Sequence, residues 1–195
     1  MNEAEKKSID TMNRIHYFAP KITKKLFESY EWKALASTTF KGVAKRQGIE
    51  LGEEWKVVAG MGKPSVEEMV SEMDEAGVEY TFIDQLMIWS WRNHEIAYDL
   101  TVEHLAQLID RSKGRIVGSV GCNPFRIKES LGEVEKAVKE YGFKSVWFHP
   151  NSFGLRPDDR RCYPLYTKCL ELGIPVAMQT GHSAEPLPSE PGHPM

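Results

Sequence analysis

The sequence is poor in cysteine, with three in 195 residues: Cys122, Cys162 and Cys169, none in a CxxC spacing. An odd, scattered set of this kind excludes a disulfide framework and argues against a structural zinc cluster. Reduced thiols in the cytoplasm are the expected state. Runs of like charge are also missing. The 25 Lys and Arg residues are mixed with 28 Asp and Glu, for a net charge of −3, which offers no basic surface to nucleic acid and no charged tail. No stretch approaches the roughly 18 apolar residues of a membrane span, so no membrane partner is expected. The opening Met-Asn-Glu-Ala-Glu-Lys-Lys lacks the apolar segment of a secretory leader. A Gly-rich phosphate loop is absent too. Gly118-Ser-Val-Gly121 falls inside an expected strand rather than after one, so a dinucleotide-binding reading is poor.

What the chain does contain is ordinary for a soluble domain, with 41% hydrophobic and 27% charged residues. The length suits one domain with a substantial core. From residue 64 onward the pattern is regular. Ser65 is a good N-cap, with Glu67 and Glu68 in the first turn and Val66, Met69, Val70 and Met73 on one face. Gly77, Gly142 and Gly173 each stop a helix and lead into an apolar strand. Strands are expected over 8–10, 78–83, 115–121, 145–148 and 175–180. Helices are expected over 20–30, 65–76, 93–110, 127–141 and 163–172, the third with Ile96, Leu100, Leu105 and Leu108 inward. Residues 31–63 read as an insertion with at most short helices.

Strands alternating with helices imply a parallel sheet with right-handed crossovers. Two architectures fit five such units. One is part of a (β/α)₈ barrel, with strands neighbouring in chain order. The other is an open doubly wound sheet of flavodoxin type, ordered 2-1-3-4-5. In either, the C-terminal strand ends share a rim where ligands bind. The residues there are Asp10, Met12, Arg14 and His16, then Asp84, Gln85 and Trp89, then Cys122 and Asn123, then His149 and Asn151, and last Gln179, Thr180 and His182. Imidazole is both a common metal ligand and the usual acid or base near neutral pH. His149 reads equally well as a histidine packed under Pro150 and bonded to backbone, and His16 and His182 as solvated loop residues. His94 and His104 are expected on the surface of a helix. Trp89 and Trp91 either line an apolar pocket or belong to the core.

Four segments together carry a resemblance. They are the Ile-Asp strand at residues 9–10, Asn123-Pro-Phe125, Gly142-Phe-Lys-Ser-Val-Trp-Phe-His-Pro150 and Gly173-Ile-Pro-Val-Ala-Met-Gln-Thr-Gly-His182. In this order and spacing the chain resembles the metal-dependent amidohydrolase-related family, which includes aminocarboxymuconate-semialdehyde decarboxylase and the resorcylate-type decarboxylases. The resemblance implies a (β/α)₈ barrel with a divalent metal, zinc or manganese, at the C-terminal rim. It also implies hydrolysis or nonoxidative decarboxylation of a small, possibly aromatic, carboxylic acid. The family's first strand ends in Asp-x-His-x-His or Glu-x-His. Here Met12 and Arg14 stand at the ligand positions in an ungapped match, and a two-residue shift keeps only His16 as a metal ligand. Gln179 stands where the fifth strand of the family carries a ligand histidine. Arginine offers donors only, and a thioether is a poor ligand for such ions. The family's later ligands lie beyond Met195.

The resulting expectation is a site with substituted metal ligands. In it Arg14 pairs with a substrate carboxylate and His149 and His182 move protons. Asp10, Trp89, Asn151 and Gln179 contact the substrate. The chain reads as the N-terminal portion of a longer barrel, able to form a homo-oligomer through an open sheet edge. A catalytically inactive barrel serving as a binding or assembly subunit is the alternative from a different class.

Overall fold

The computed structural model describes residues 8–10, 28–35, 37, 40–50, 52–57 and 65–179. Five parallel strands form its centre: β1 (Ser8–Asp10), β2 (Val78–Asp84), β5 (Ile116–Val120), β6 (Ser145–Phe148) and β7 (Val176–Met178), hydrogen-bonded in that order. A separate antiparallel hairpin, β3 (Met87–Ser90) and β4 (Glu95–Asp99), is inserted after β2. Each parallel strand neighbours the next parallel strand in the chain, which is the barrel order. In the flavodoxin order β1 would lie between β2 and β5, whereas β2 pairs with both β1 and β5. That reading is therefore excluded, and the fold is part of a (β/α)₈ barrel.

The helices follow from local signals. Two short ones, α1 (Tyr30–Leu35) and α2 (Lys41–Arg46), precede α3 (Val66–Glu75). Ser65 caps α3 by accepting from the Glu68 amide at 3.1 Å. Thr101 does the same for α4 (Val102–Arg111), accepting from the His104 amide at 3.3 Å. The next helices are α5 (Ile127–Lys139) and α6 (Tyr163–Leu172). Gly77, Gly142 and Gly173 follow helices with φ of 69°, 71° and 66°. In that left-handed region a side chain would be strained, which is why glycine makes the stop. Single ion pairs tie successive helices: Arg111 to Glu67 at 2.8 Å, Lys136 to Glu103 at 2.8 Å and Lys168 to Glu135 at 3.6 Å. All are solvent-accessible and worth at most about 1 kcal/mol each.

The core lies between the sheet and these helices. Val66, Met69, Ile83, Val102, Leu105, Val120, Val134, Phe143, Val146 and Leu165 are all buried in it. Gly118 shows which face of β5 meets the helices. A Cβ there would lie 2.8 Å from Ile109 of α4 and from the ring of Phe143. Ile83 is its register partner and shares that side.

Two expectations are corrected. The helix expected over 93–110 is the second half of the hairpin followed by α4. Ile96 with Leu100, and Leu105 with Leu108, are each at helical spacing, but Met87–Ser90 and Glu95–Asp99 satisfy one another's backbone across a tight turn. His94 occupies that turn with φ 55°, so it is on a turn and not on a helix. His104 does lie on α4, half-buried rather than on the open surface. The helix expected over 20–30 lies almost wholly outside the described residues.

Candidate active site

Strand register sorts the rim residues by face. Gly118 points to the helices, so Ser119 beside it points into the barrel. Asp84 is the register partner of Ser119 and shares the inner face. Ser119 Oγ lies 2.7 Å from Ser145 Oγ, a buried hydroxyl pair that places Ser145 inward as well. Alternation along β6 then puts Trp147 and His149 inward. Ala177 pairs with Trp147, so Gln179 follows on the same face of β7. The inner rim of the described strands therefore carries Asp84, His149 and Gln179. Asp84 and His149 are buried, Gln179 half-buried. The Gln179 amide donates to the Phe148 carbonyl at 3.1 Å and continues the β6–β7 ladder past the last strand residue.

His149 ends β6 and begins a tight turn, Pro150–Phe153. Its carbonyl accepts from the Ser152 amide at 3.1 Å and from the Ser152 hydroxyl at 3.2 Å. These turn bonds are made by the His149 carbonyl, and strand alternation sets its ring on the inner face. Asn151 is buried within this turn. Gly154 closes it at φ 62°, and a Cβ there would meet the Trp91 ring at 2.8 Å.

The hairpin packs directly on this turn. Trp91 Nε1 donates to the Ser152 carbonyl at 2.8 Å, and the Trp89 amide donates to Ser152 Oγ at 3.4 Å. Trp89 packs edge-on against Phe125 with centroids 4.9 Å apart, and Phe125 against Phe153 at 5.6 Å. Phe153 also stacks on Phe148 at 6.2 Å. Trp89 and Trp91 are joined through Phe125, and together these rings wall one side of the rim. Phe125 is held there by Asn123, whose side chain accepts from the Phe125 amide at 3.0 Å. The Asn123 amide in turn donates to Ser130 Oγ at 3.0 Å.

Asp10 ends β1 opposite Thr81 in register. Met12, Arg14, His16, Thr180 and His182 lie outside the described residues. Among the residues named from sequence, the structure thus brings together His149, Asn151, Trp89 and Gln179. Asp84 belongs with them. The signal for it, a carboxylate directly closing an apolar strand, was already present at Ile83-Asp84.

The family resemblance implies a divalent metal. Among the described residues no three His, Cys, Asp or Glu side chains come together as a metal-holding group. The end of β7 contributes Gln179, a neutral amide, where a charged or imidazole donor would serve better. The described residues do not fit such an ion. Cys122 does not supply a thiolate, because burial pushes its pKa up to about 12. A separate surface groove of about 480 Å³ lies on the outer side of α5 and α6, between Leu131, Arg160, Tyr163 and Lys168. None of the inner-rim residues lines it.

A family model described as amidohydrolase matches residues 38–195. The chain belongs to that family. Among solved structures it is similar to 5-carboxyvanillate decarboxylase of Novosphingobium aromaticivorans, crystallised with manganese and a nitrobenzoic acid. The TM-score is 0.59 at 15% identity, covering 90% of this chain and 54% of that one. It is similar also to the 2,6-dihydroxybenzoate decarboxylase from Rhizobium, with TM-score 0.53, 14% identity, and coverage of 91% and 51%. A TIM-barrel protein of Bordetella bronchiseptica matches with TM-score 0.53 and 21% identity, covering 92% of this chain and 57% of that one. The chain therefore spans about half the length of these barrels. No curated protein matches the sequence. No helix among the described residues is long and apolar enough to cross a membrane.

Proposed function

We propose that this chain is part of an enzyme that decarboxylates a small carboxylic acid, aromatic or unsaturated, without an oxidant. The observation that carries the reading is His149, on the inner face at the end of β6 in a chain of the amidohydrolase family. Two of its structural neighbours are named as decarboxylases of benzoic acids. In such a reaction the bond from carbon to carboxylate breaks, carbon dioxide leaves, and the electron pair stays on carbon until a proton arrives. Imidazole suits that delivery, because its ordinary pKa lies nearest neutrality. His149 or His182 supplies the proton, and Arg14 grips the carboxylate in a two-point fork. Trp89 and its aromatic neighbours exclude water on one side. Asp10, Asn151 and Gln179 complete the polar contacts.

The test offers the purified protein hydroxybenzoic and unsaturated acids, with zinc or manganese added, and measures carbon dioxide released. Release that His149→Asn lowers about hundredfold supports the reading. Hydrolysis of an amide or lactone without carbon dioxide points instead to a hydrolase. Met12, Arg14 and Gln179 favour a second reading, a catalytically inactive barrel that binds a carboxylate or assembles with another subunit. Carboxylate binding with neither turnover nor bound metal by elemental analysis would select it.

A further inference from the structure

Gln85 is completely buried one residue beyond β2, and its side chain turns to the opposite face from Asp84, toward the helices. Its orientation is fixed from one end: Oε1 accepts from the Gly121 amide at 2.9 Å. The NH₂ group is therefore aimed the other way, where two carboxylates converge on it. Nε2 donates to Asp99 Oδ1 at 2.9 Å and to Glu133 Oε1 at 3.4 Å. Asp99 is the last residue of β4 and Glu133 lies on α5. One amide thus ties the base of the hairpin to α5 and to the ends of β2 and β5.

We propose that Gln85, Asp99 and Glu133 form a proton-operated latch on the β3–β4 hairpin. The latch holds while one of the two carboxylates carries a proton and loosens when both are ionised. The surrounding charges leave the pair only partly compensated, since Lys136 acts on Glu133 from the same helix. From α4 a third acid, Glu103, faces it. From α5 comes Lys136, but Glu103 engages that ammonium at 2.8 Å. Cys122 stands near Glu133 as a neutral thiol, its pKa pushed up to about 12. Burial raises the Asp99 carboxyl above the usual range, partly opposed by the Gln85 hydrogen bond and helped by the charge of Glu103. Burial also raises Glu133, with the charge of Asp99 next.

The sign follows by linkage. A carboxyl raised by folding favours the folded arrangement below its unfolded pKa, and that contribution is lost as pH rises through the folded value. The hairpin is therefore held most firmly in acid and loosens as pH rises through the raised range of the two carboxyls. It carries Trp89 and Trp91, which pack on the turn after His149, so loosening it shifts one wall of the rim. The latch stands whether or not the rim performs a decarboxylation.

Amide hydrogen exchange on the full chain tests it, each rate being divided by the intrinsic rate at that pH. Relative to β5, protection of the β3–β4 amides should fall by about tenfold between pH 5 and pH 8. That is well below the linkage limit of about tenfold per pH unit for one proton, because Asp99 keeps solvent on one side. In Asp99→Asn, and independently in Glu133→Gln, protection should stay flat. Three results would overturn the proposal: no pH dependence in the unaltered chain, the same dependence in both variants, or both variants melting below the unaltered chain at pH 8.

Discussion

On the outer face of β5, Gly118 gives up a side chain so that Phe143 and Ile109 can lie against the sheet. One residue further on, facing inward, Ser119 and Ser145 bond each other across two strands. At Gly118 the outer face gives up its side chain so that the helix layer fits. The inner face keeps polar groups and satisfies them in pairs, with Asp84, His149 and Gln179 above them at the rim. Because strand residues alternate, both demands are written into the same few letters, Val-Gly-Ser-Val of β5 and Ser-Val-Trp-Phe-His of β6. The comparison separates residues that hold the fold from residues that give the barrel something to do, and it can be broken from either side.

The largest effect is expected on the outer face. Phe143 is fully buried against Gly118 and the helices. Phe143→Ala should cost about 4 kcal/mol of stability, read from denaturant unfolding at constant slope. A loss under about 1 kcal/mol would mean that the helix layer collapses around the gap and that this face is less tightly specified than its packing indicates. On the inner face, His149→Asn is expected to behave in the opposite way. It keeps size and polarity, so the melting temperature should move little. Turnover of a carboxylic acid should drop about hundredfold, which corresponds to about 2.7 kcal/mol in the barrier. A variant that unfolds but keeps its turnover per folded molecule would move His149 to the structural side.

Much of this division was legible in the sequence. The three helix-stopping glycines, the Ser65 cap and all five parallel strands follow from local chemistry that acts over a few residues. The strand order settled the choice between barrel and flavodoxin-like sheet, and that order is a long-range property no local pattern carries. The hairpin was missed because Ile96 with Leu100, and Leu105 with Leu108, are each at helical spacing, although the first pair belongs to the hairpin and its exit and the second to α4. The better signals were the aromatic and branched residues Met87-Ile-Trp-Ser90 and Glu95-Ile-Ala-Tyr-Asp99, separated by a turn. At the rim, His149, Asn151 and Gln179 could be placed from sequence because each follows an apolar strand. Gln85 stands at an equally visible rim position, yet only the structure assigns its role, since register sends its side chain to the helices and its neighbour's inward.

A smaller effect tests how close the outer packing is. Gly118→Ala places a methyl group where the Phe143 ring and the tip of Ile109 already lie, at 2.8 Å. Ile109 can turn aside and the buried ring cannot, so a loss of about 2 kcal/mol is expected in thermal or denaturant unfolding. A neutral Gly118→Ala would show that the ring tilts freely and that the glycine is not required by packing.

The smallest effect probes whether the inner face is dry at the level of the serine pair. Ser119→Ala alone removes one partner and leaves the Ser145 hydroxyl buried against apolar neighbours. That should cost about 1 kcal/mol, since an orphaned buried hydroxyl loses its hydrogen bond without regaining water. Ser119→Ala with Ser145→Ala removes both groups together and should cost no more than the single change, because no polar atom is then left unsatisfied. The double-mutant cycle therefore gives a coupling of about 1 kcal/mol if the layer is closed. If water reaches it, each hydroxyl finds a new partner, the single changes become neutral, and the coupling disappears. That outcome would place the floor of the rim site below Ser119 and Ser145, with the two hydroxyls available to a ligand beside His149.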